Sequence, residues 1–263
     1  MTTLRFSYQT KVEFSGDVTN HAFLLRSFPI EEKGQKVLDL MHTNSPIVTG
    51  GQYLKDGFGN TVYTGRIDRG HDSLTYKVIG TVIRDDSKKS FEKPLPSYRY
   101  PSELTKASPE IINFHKNLNL PSNHYEAAKI ISKAVYDYMI YETGTTGIFT
   151  TAADSFKGRK GVCQDYAHLM LALCRLSKIP ARYVCGITIG EGETHAWVEI
   201  WNEGYWYGFD PTRNCFVDEG YIKFCIGRDY NDCPIQRGIF NGDVLQRQSV
   251  YMEVTKLKEA LLA

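Results

Sequence analysis

The apolar and polar positions in the first third of the chain alternate as they do in β-strands. This alternation predicts short strands at residues 4–8, 12–14, 22–29, 34–42, 47–49, 53–55, 61–64 and 74–83. Glycines and polar turn residues separate the strands, and residues 56–60 have the composition of a hairpin loop. Many short strands with a turn every 8–12 residues or so are typical of an antiparallel β-sandwich.

The apolar spacing changes to the three-and-four period of helices in the second part of the chain. One helix is predicted to begin after Asn123, with Glu126 completing its first turn and with a buried stripe at Ala127, Ile130, Ile131, Ala134, Val135 and Tyr138. A shorter helix opens at residues 151–154 and ends near Gly158. A third begins at Cys163 and ends before Pro180, with apolar positions at Ala167, Met170, Leu171, Cys174 and Leu176.

A charged and proline-rich segment, residues 85–101, separates the two patterns and is typical of a linker. We therefore expect an N-terminal β-sandwich domain over residues 1–105 and an α+β domain over residues 106–263. Residues 248–254 alternate in part and predict a last strand.

Candidate chemistry begins at the third helix, where Gly161 precedes Cys163. The unpaired N–H groups of a helix N-terminus favour an anion and lower the pKa of a thiol placed there. Most cysteines, however, are small core residues, so this position alone does not indicate a nucleophile. Asp165 is expected to be a helix-start acid or an arginine partner. His168 lies off the helical face of Cys163 and is expected to be structural.

Residues 194–201 and 205–210 predict two strands, with turn chemistry between them. A two-residue turn, at either 202–203 or 203–204, places His195 and Asp210 on one face of the hairpin, directly or diagonally opposite each other. A three-residue turn would place them on opposite faces. We expect the same-face register.

These residues predict a Cys163–His195–Asp210 triad in which the thiol attacks a carbonyl, the imidazole moves the proton and the carboxylate holds the imidazole. The backbone N–H of Cys163 is the first candidate oxyanion donor, and the sequence assigns no second one. Three tryptophans share the predicted face: Trp197, Trp201 and Trp206. Core packing is their commoner role, and Trp197 is the candidate for a substrate contact.

Four sequence blocks carry a resemblance to a known family: residues 161–167, 178–183, 195–199 and 210–212. In this order they resemble the bacterial transglutaminase-like superfamily. The resemblance implies a papain-like α+β core, in which the cysteine helix packs on an antiparallel sheet, and it implies that Cys163, His195 and Asp210 carry the chemistry. Residues 21–26 and 56–60 resemble, more loosely, the N-terminal region that often precedes this bacterial domain.

Composition is that of an ordinary globular protein: 42% of the 263 residues are hydrophobic and 23% are charged. A net charge of +1 offers no general attraction for nucleic acid or for an anionic membrane. No window approaches the roughly 18 apolar residues of a membrane span, and no secretory segment is visible, so we expect a cytoplasmic protein. In the cytoplasm its six cysteines are expected to be reduced thiols. They form no C-x-x-C pair, so we expect no metal, and we expect no cofactor.

The predicted function is acyl transfer through a thioester on Cys163, with a peptide or carboxamide as substrate. Hydrolysis by a cysteine protease or amidase is favoured, because water always reaches an exposed cleft whereas amine transfer requires its exclusion. Two alternatives remain open. One is protein-glutamine γ-glutamyltransferase activity, which cross-links proteins, and the other is a non-catalytic module that binds a peptide or a cell-wall fragment.

Overall fold

The computed structural model of the protein describes residues 1–89 and 91–257. In chain order its strands are β1 (Thr2–Leu25), β2 (Gln35–Ser45), β3 (Thr49–Lys55), β4 (Thr61–Ile67), β5 (His71–Arg84), β6 (Ile140–Tyr141), β7 (Lys160–Gly161), β8 (Ala181–Thr188), β9 (Gly190–Gly192), β10 (His195–Asn202), β11 (Tyr205–Asp210), β12 (Cys215–Phe216), β13 (Tyr221–Gly227), β14 (Gln236–Asn241) and β15 (Gln246–Lys256). The α-helices are α1 (Pro109–Lys116), α2 (His124–Tyr138), α3 (Ala152–Gly158) and α4 (Cys163–Leu176). Short 3₁₀ turns occur at Pro96–Arg99, Glu103–Thr105 and Tyr230–Asp232.

The first strand, β1, is the central strand of the N-terminal sheet. Its first half pairs antiparallel with β5 and β15, and its second half pairs antiparallel with β4 and β14. The prediction of three separate strands at 4–8, 12–14 and 22–29 is therefore wrong, because one 24-residue strand runs from Thr2 to Leu25. The strand continues beyond residue 14, where the Ser15 N–H donates to the Leu245 carbonyl across the sheet.

The predicted strands at 34–42, 61–64 and 74–83 correspond to β2, β4 and β5, but the separate strands predicted at 47–49 and 53–55 are wrong, because one strand, β3, runs from Thr49 to Lys55. The hairpin between β3 and β4 turns at Asp56, whose carboxylate accepts hydrogen bonds from the backbone N–H groups of Phe58 and Asn60. The predicted last strand is β15, which lies between β1 and β9. Because β14 and β15 also pair with β1, the sheet contains strands from the first and the last part of the described sequence.

The predicted division at residues 105 and 106 stays a prediction, as does the sandwich arrangement of the first domain. The last six residues of the predicted second domain, 258–263, lie outside the described residues.

The second sheet is fully antiparallel, in the order β12-β11-β10-β8-β13, and α4 packs against it. Every residue of α4 from Asp165 to Arg175 is buried, because the sheet covers one side of the helix while α1, α2 and α3 contact others. Helix α2 begins after Asn123, whose side chain accepts from the Glu126 N–H as predicted. Its predicted stripe needs one correction: Ile130 is 40% exposed, because the helix turns Ala128 and Ser132 toward the core instead.

Strand β13 forms one edge of the second sheet, and side-chain amides from the N-terminal half cap that edge. The Gln35 amide accepts from the Lys223 N–H and donates to the Lys223 carbonyl, both at 2.8 Å. The Asn60 amide makes the same pair of bonds to Ile226, also at 2.8 Å. Both amides are fully buried. Backbone N–H and C=O groups on the edge of β13 would otherwise be buried without a hydrogen-bond partner. The two amides supply the partners and so join the two halves of the chain.

A buried ionic cluster reinforces this junction. Glu199 on β10 binds Lys223 at 2.5 Å and Arg182 at 2.7 Å, and Lys223 also binds Glu32 from the N-terminal half at 2.6 Å. Burial raises the pKa of Glu199, but the two cations outweigh burial and bring that pKa down to about 2. Within the described part of the chain, no helix has the length and apolar character to cross a membrane.

We predict that Glu199→Gln destabilises the fold by about 3–5 kcal/mol, because it leaves two buried cations without their shared carboxylate. Urea denaturation at pH 7 measures this loss. The matched control is Asp137→Asn, which breaks an exposed helical pair with Lys133 and should cost no more than about 0.5 kcal/mol. Equal losses for the two variants would contradict a structural role for the cluster.

Candidate active site

Cys163 is the first residue of α4, as the sequence predicts. Helix α3 begins with a reciprocal cap between Thr151 and Asp154 and ends at Gly158, and Arg159 follows it with a left-handed φ of 54°. Strand β7 then pairs in parallel with β6 and leads directly into α4. These local features place the Cys163 thiol at the N-terminus of the buried helix α4.

The first turn of α4 is held by Asp165, whose side chain is almost completely buried. Its Oδ2 accepts from the Val162 N–H at 2.8 Å and from the Thr146 hydroxyl at 2.7 Å. Burial raises the pKa of this carboxyl, against the hydrogen bonds that lower it. Asp165 is therefore a helix-start acid, the first of its two expected roles.

Gly161 is required by this packing. A Cβ atom at residue 161 would lie 2.5 Å from Asp165 Oδ2 and 2.6 Å from Asp165 Cβ, far inside normal contact distance.

The β10–β11 hairpin has the predicted same-face register. Asn202 pairs with Tyr205 and Val198 with Phe209, so the two-residue turn is Glu203-Gly204. Both turn residues have positive φ, 49° and 95°, as a type I′ turn requires. This register is the diagonal one of the two expected, and it brings His195 Nε2 to 2.7 Å from Asp210 Oδ2.

Asp210 is completely buried and its carboxylate accepts four hydrogen bonds. Oδ1 accepts from the backbone N–H groups of Thr212 and Arg213, at 2.9 and 3.2 Å. Oδ2 accepts from His195 and, at 2.8 Å, from the Tyr221 hydroxyl. Burial alone would raise the pKa of this carboxyl, but its donors, His195 first, lower the pKa below its ordinary value. The carboxylate is therefore ionised and is a pure acceptor.

His195 is 9% exposed and lies between the carboxylate and the thiol. Burial lowers the pKa of the imidazole, but the hydrogen bond to Asp210 and the neighbouring Cys163 side chain raise that pKa to about 9. Because Nε2 is occupied by Asp210, Nδ1 is the ring nitrogen left for the thiol. Asp210 thus binds the imidazole directly, and the Cys163 side chain lies close enough to the ring to raise its pKa.

Cys163 and His195 open into a cavity of about 610 Å³. Its walls come from both halves of the fold. One wall carries Tyr183 and Cys185 of β8, and the opposite wall is built from the N-terminal sheet by Tyr8, Gln248, Val250 and Met252. The N-terminal sheet is therefore part of the site.

The structure does not support the prediction that Trp197 contacts a substrate. Its side chain has no exposed surface and packs against Tyr221, with ring centroids 5.3 Å apart, instead of lining the cavity. Trp206 is also buried, and the Arg182 guanidinium lies 4.1 Å from its ring centroid. Core packing is the role of both rings.

Sequence reasoning missed Tyr221 and Arg213 as neighbours of Asp210. Tyr221 lies on β13, which does not pair with the strand of Asp210, so no spacing in the sequence connects the two residues. Arg213 follows in the turn after Asp210 and could have been found there as a cation near a predicted carboxylate. His168 behaves as expected: it is buried, and its Nε2 accepts from the Tyr230 N–H at 3.2 Å. Among the described residues no group of three or more potential metal ligands gathers.

Two family models match the chain. The one described as Transglutaminase-like superfamily matches residues 113–211, and the one described as Bacterial transglutaminase-like N-terminal region matches residues 4–83. An uncharacterised Mycobacterium leprae protein is 35% identical over 150 residues, covering 52% of this chain and 53% of that protein. An uncharacterised Mycobacterium tuberculosis protein is 35% identical over 130 residues, covering 43% and 41%. The chain spans about half the length of these curated relatives.

One solved structure resembles nearly the whole chain. A candidate cysteine protease from Cytophaga hutchinsonii aligns with a TM-score of 0.80 at 22% identity, covering 99% of this chain and 93% of that chain. At this identity the likeness shows the fold, and it confirms the predicted α+β class.

We predict that Gly161→Ala destabilises the protein by about 1–3 kcal/mol, because the added methyl group forces Asp165 away from the first turn of α4. Thermal or urea denaturation measures the loss. Gly158→Ala is the matched control, since a Cβ atom there meets nothing within 4 Å. A neutral Gly161→Ala would contradict the assigned packing.

We also predict that Asp210→Asn lowers the pKa of His195 from about 9 by on the order of one unit or more, because the charged partner that favours imidazolium is removed. An NMR titration of the His195 ring, assigned with His195→Gln, measures the change. Asp137→Asn, on the exposed face of α2, should leave this titration unchanged. A His195 pKa unaffected by Asp210→Asn would show that the carboxylate does not hold the imidazole.

Proposed function

We propose that the chain is a member of the transglutaminase-like superfamily and a thiol-dependent acyl-transfer enzyme acting on a peptide or carboxamide carbonyl. The observation that carries the proposal is the 2.7 Å hydrogen bond from His195 to the buried Asp210 carboxylate, on an imidazole that faces Cys163 in an open cavity. A histidine held in this way is oriented for proton transfer at the sulfur.

In the proposed reaction the Cys163 sulfur attacks the carbonyl carbon while the proton of the thiol resides on His195. The tetrahedral intermediate collapses, His195 gives the proton to the departing amine, and a thioester remains on Cys163. Water then attacks the thioester, with His195 accepting its proton, and releases a carboxylic acid and the free thiol. Asp210 stabilises the imidazolium each time it forms. The backbone N–H of Cys163 is the candidate donor to the oxyanion.

Hydrolysis is the outcome we favour for the thioester. The cavity opens to solvent and has polar as well as apolar walls, so water reaches the sulfur without a conformational change. The similar structure from Cytophaga hutchinsonii carries the description of a candidate cysteine protease, which agrees with this preference. Transfer to an amine, as in cross-linking, needs the same thioester and differs only in the second step.

A peptide or protein is the substrate class that best fits the cavity. Its volume lies within the range of small-molecule and peptide sites, and its lining mixes amide, hydroxyl and carboxylate groups with Ile235, Val250 and Met252. The net charge of +1 offers no electrostatic reason to propose nucleic acid as a partner.

We predict that wild-type protein incubated with a library of peptides and primary amides forms a mass adduct on Cys163, seen by intact-protein and peptide mass spectrometry. Cys163→Ala should form no adduct and release no product, because Cys185, the other thiol in the cavity wall, is buried, and its hydrogen bond with Cys225 and its burial raise its pKa well above the ordinary value. Circular dichroism should show that Cys163→Ala is folded. Adding hydroxylamine or a lysine analogue to the reaction separates the outcomes, since a transferase yields amine products and a hydrolase yields the acid. Unchanged turnover by Cys163→Ala would refute the enzyme proposal, and binding without any adduct would favour a non-catalytic module.

A further inference from the structure

Tyr221 contacts the candidate triad from outside the hairpin. It lies on β13, is 5% exposed, and its hydroxyl is 2.8 Å from Asp210 Oδ2. His195 Nε2 donates to the same oxygen at 2.7 Å. One carboxylate oxygen therefore accepts from both the imidazole and the phenol.

The direction of the phenol hydrogen bond is fixed by the ionised Asp210 carboxylate, which can only accept, and Arg213 reinforces it. Its Nη1 donates to the Tyr221 oxygen at 3.2 Å, and its Nη2 donates to the Thr188 hydroxyl at 3.2 Å. A guanidinium has no acceptor, so the Tyr221 oxygen receives this bond and directs its own proton to Asp210. The chain Arg213 to Tyr221 to Asp210 has one polarity, which strengthens each of its bonds.

Aromatic packing holds the Tyr221 ring in place. It packs edge-on against Trp197 at 5.3 Å and 79°, and Trp197 is stacked with His195 at 6.4 Å and 27°. Because Trp197 has no exposed surface, neither ring can shift without disturbing the core. Tyr221 thus holds the carboxylate by a hydrogen bond and supports the imidazole through an aromatic contact chain.

The charged and titratable groups around the His195–Asp210 pair come from four elements. They are Cys163 on α4, Arg213 in the turn after β11, Cys215 on β12 and Tyr221 on β13. Arg213 and the Tyr221 hydroxyl both direct positive charge toward Asp210, and each offsets part of its negative potential at His195.

We propose that Tyr221 is a positioning residue for the Asp210–His195 pair: its hydroxyl fixes Oδ2 on the line to the imidazole and weakens the hold of the carboxylate on the imidazolium proton. This inference rests on the proposed acyl-transfer function, in which His195 must both accept a proton and give it to the departing amine. A carboxylate without the phenol hydrogen bond would bind that proton more tightly and would leave the ring less well oriented.

Tyr221→Phe tests the proposal, because it removes only the hydroxyl. We expect the pKa of His195, followed by NMR titration, to rise by several tenths of a unit or more, since a donor that opposes the Asp210 charge is lost. We also expect the high-pH limb of the pH–rate profile for alkylation of Cys163 by iodoacetamide to shift to higher pH, because the imidazolium beside the sulfur keeps its proton to higher pH when Asp210 holds it more tightly. Arg213→Gln, a change at a half-exposed side chain, should raise the pKa of His195 in the same direction.

Tyr138→Phe is the matched control, since the Tyr138 hydroxyl donates to the Phe156 carbonyl at 3.0 Å, away from the site. It should alter neither the His195 titration nor the alkylation rate. A Tyr221→Phe protein whose His195 pKa is unchanged or lowered would overturn the proposal, as would an alkylation pH–rate profile equal to that of Tyr138→Phe. The titration requires no substrate, so it fails or succeeds independently of the turnover and adduct measurements on Cys163→Ala.

Discussion

The register of a single hairpin decides whether this site can exist. The two-residue turn at Glu203-Gly204 puts His195 and Asp210 on one face of the sheet, and a shift of one residue would turn the carboxylate to the other face. The turn is held in type I′ geometry, and β10 is buried on both faces. Register is therefore specified twice, by the turn and by the core, and the 2.7 Å hydrogen bond follows from it.

A buried carboxylate at that position needs donors, and the fold supplies them from three segments. Its own turn offers two backbone N–H groups, β10 offers the imidazole, and β13 offers the Tyr221 hydroxyl. Together they offset a desolvation penalty that would otherwise protonate the acid. The candidate chemistry therefore depends on β13, the edge strand of the second sheet.

The N-terminal half secures this edge strand. Gln35 and Asn60 satisfy its backbone groups, and Glu32 joins Lys223 in the buried ionic cluster. The N-terminal sheet, which the late strand β15 joins, forms one wall of the cavity through β1 and β15. The stability of the site and the shape of its cavity are thus coupled, because the N-terminal half that secures β13, the strand of Tyr221, also contributes to the wall of the cavity that Cys163 lines.

The sequence by itself determined the local features. The glycine before Cys163, the helix-start acid after it, the turn chemistry at Glu203-Gly204 and the cap at Asn123 each act within a few residues, so their geometry is encoded where they occur. Only the tertiary structure decided which distant elements meet. The single long β1, the exposure of Ile130, the burial of Trp197 and the Tyr221–Asp210 contact all depend on packing between strands and helices far apart in the chain, where local spacing carries no information.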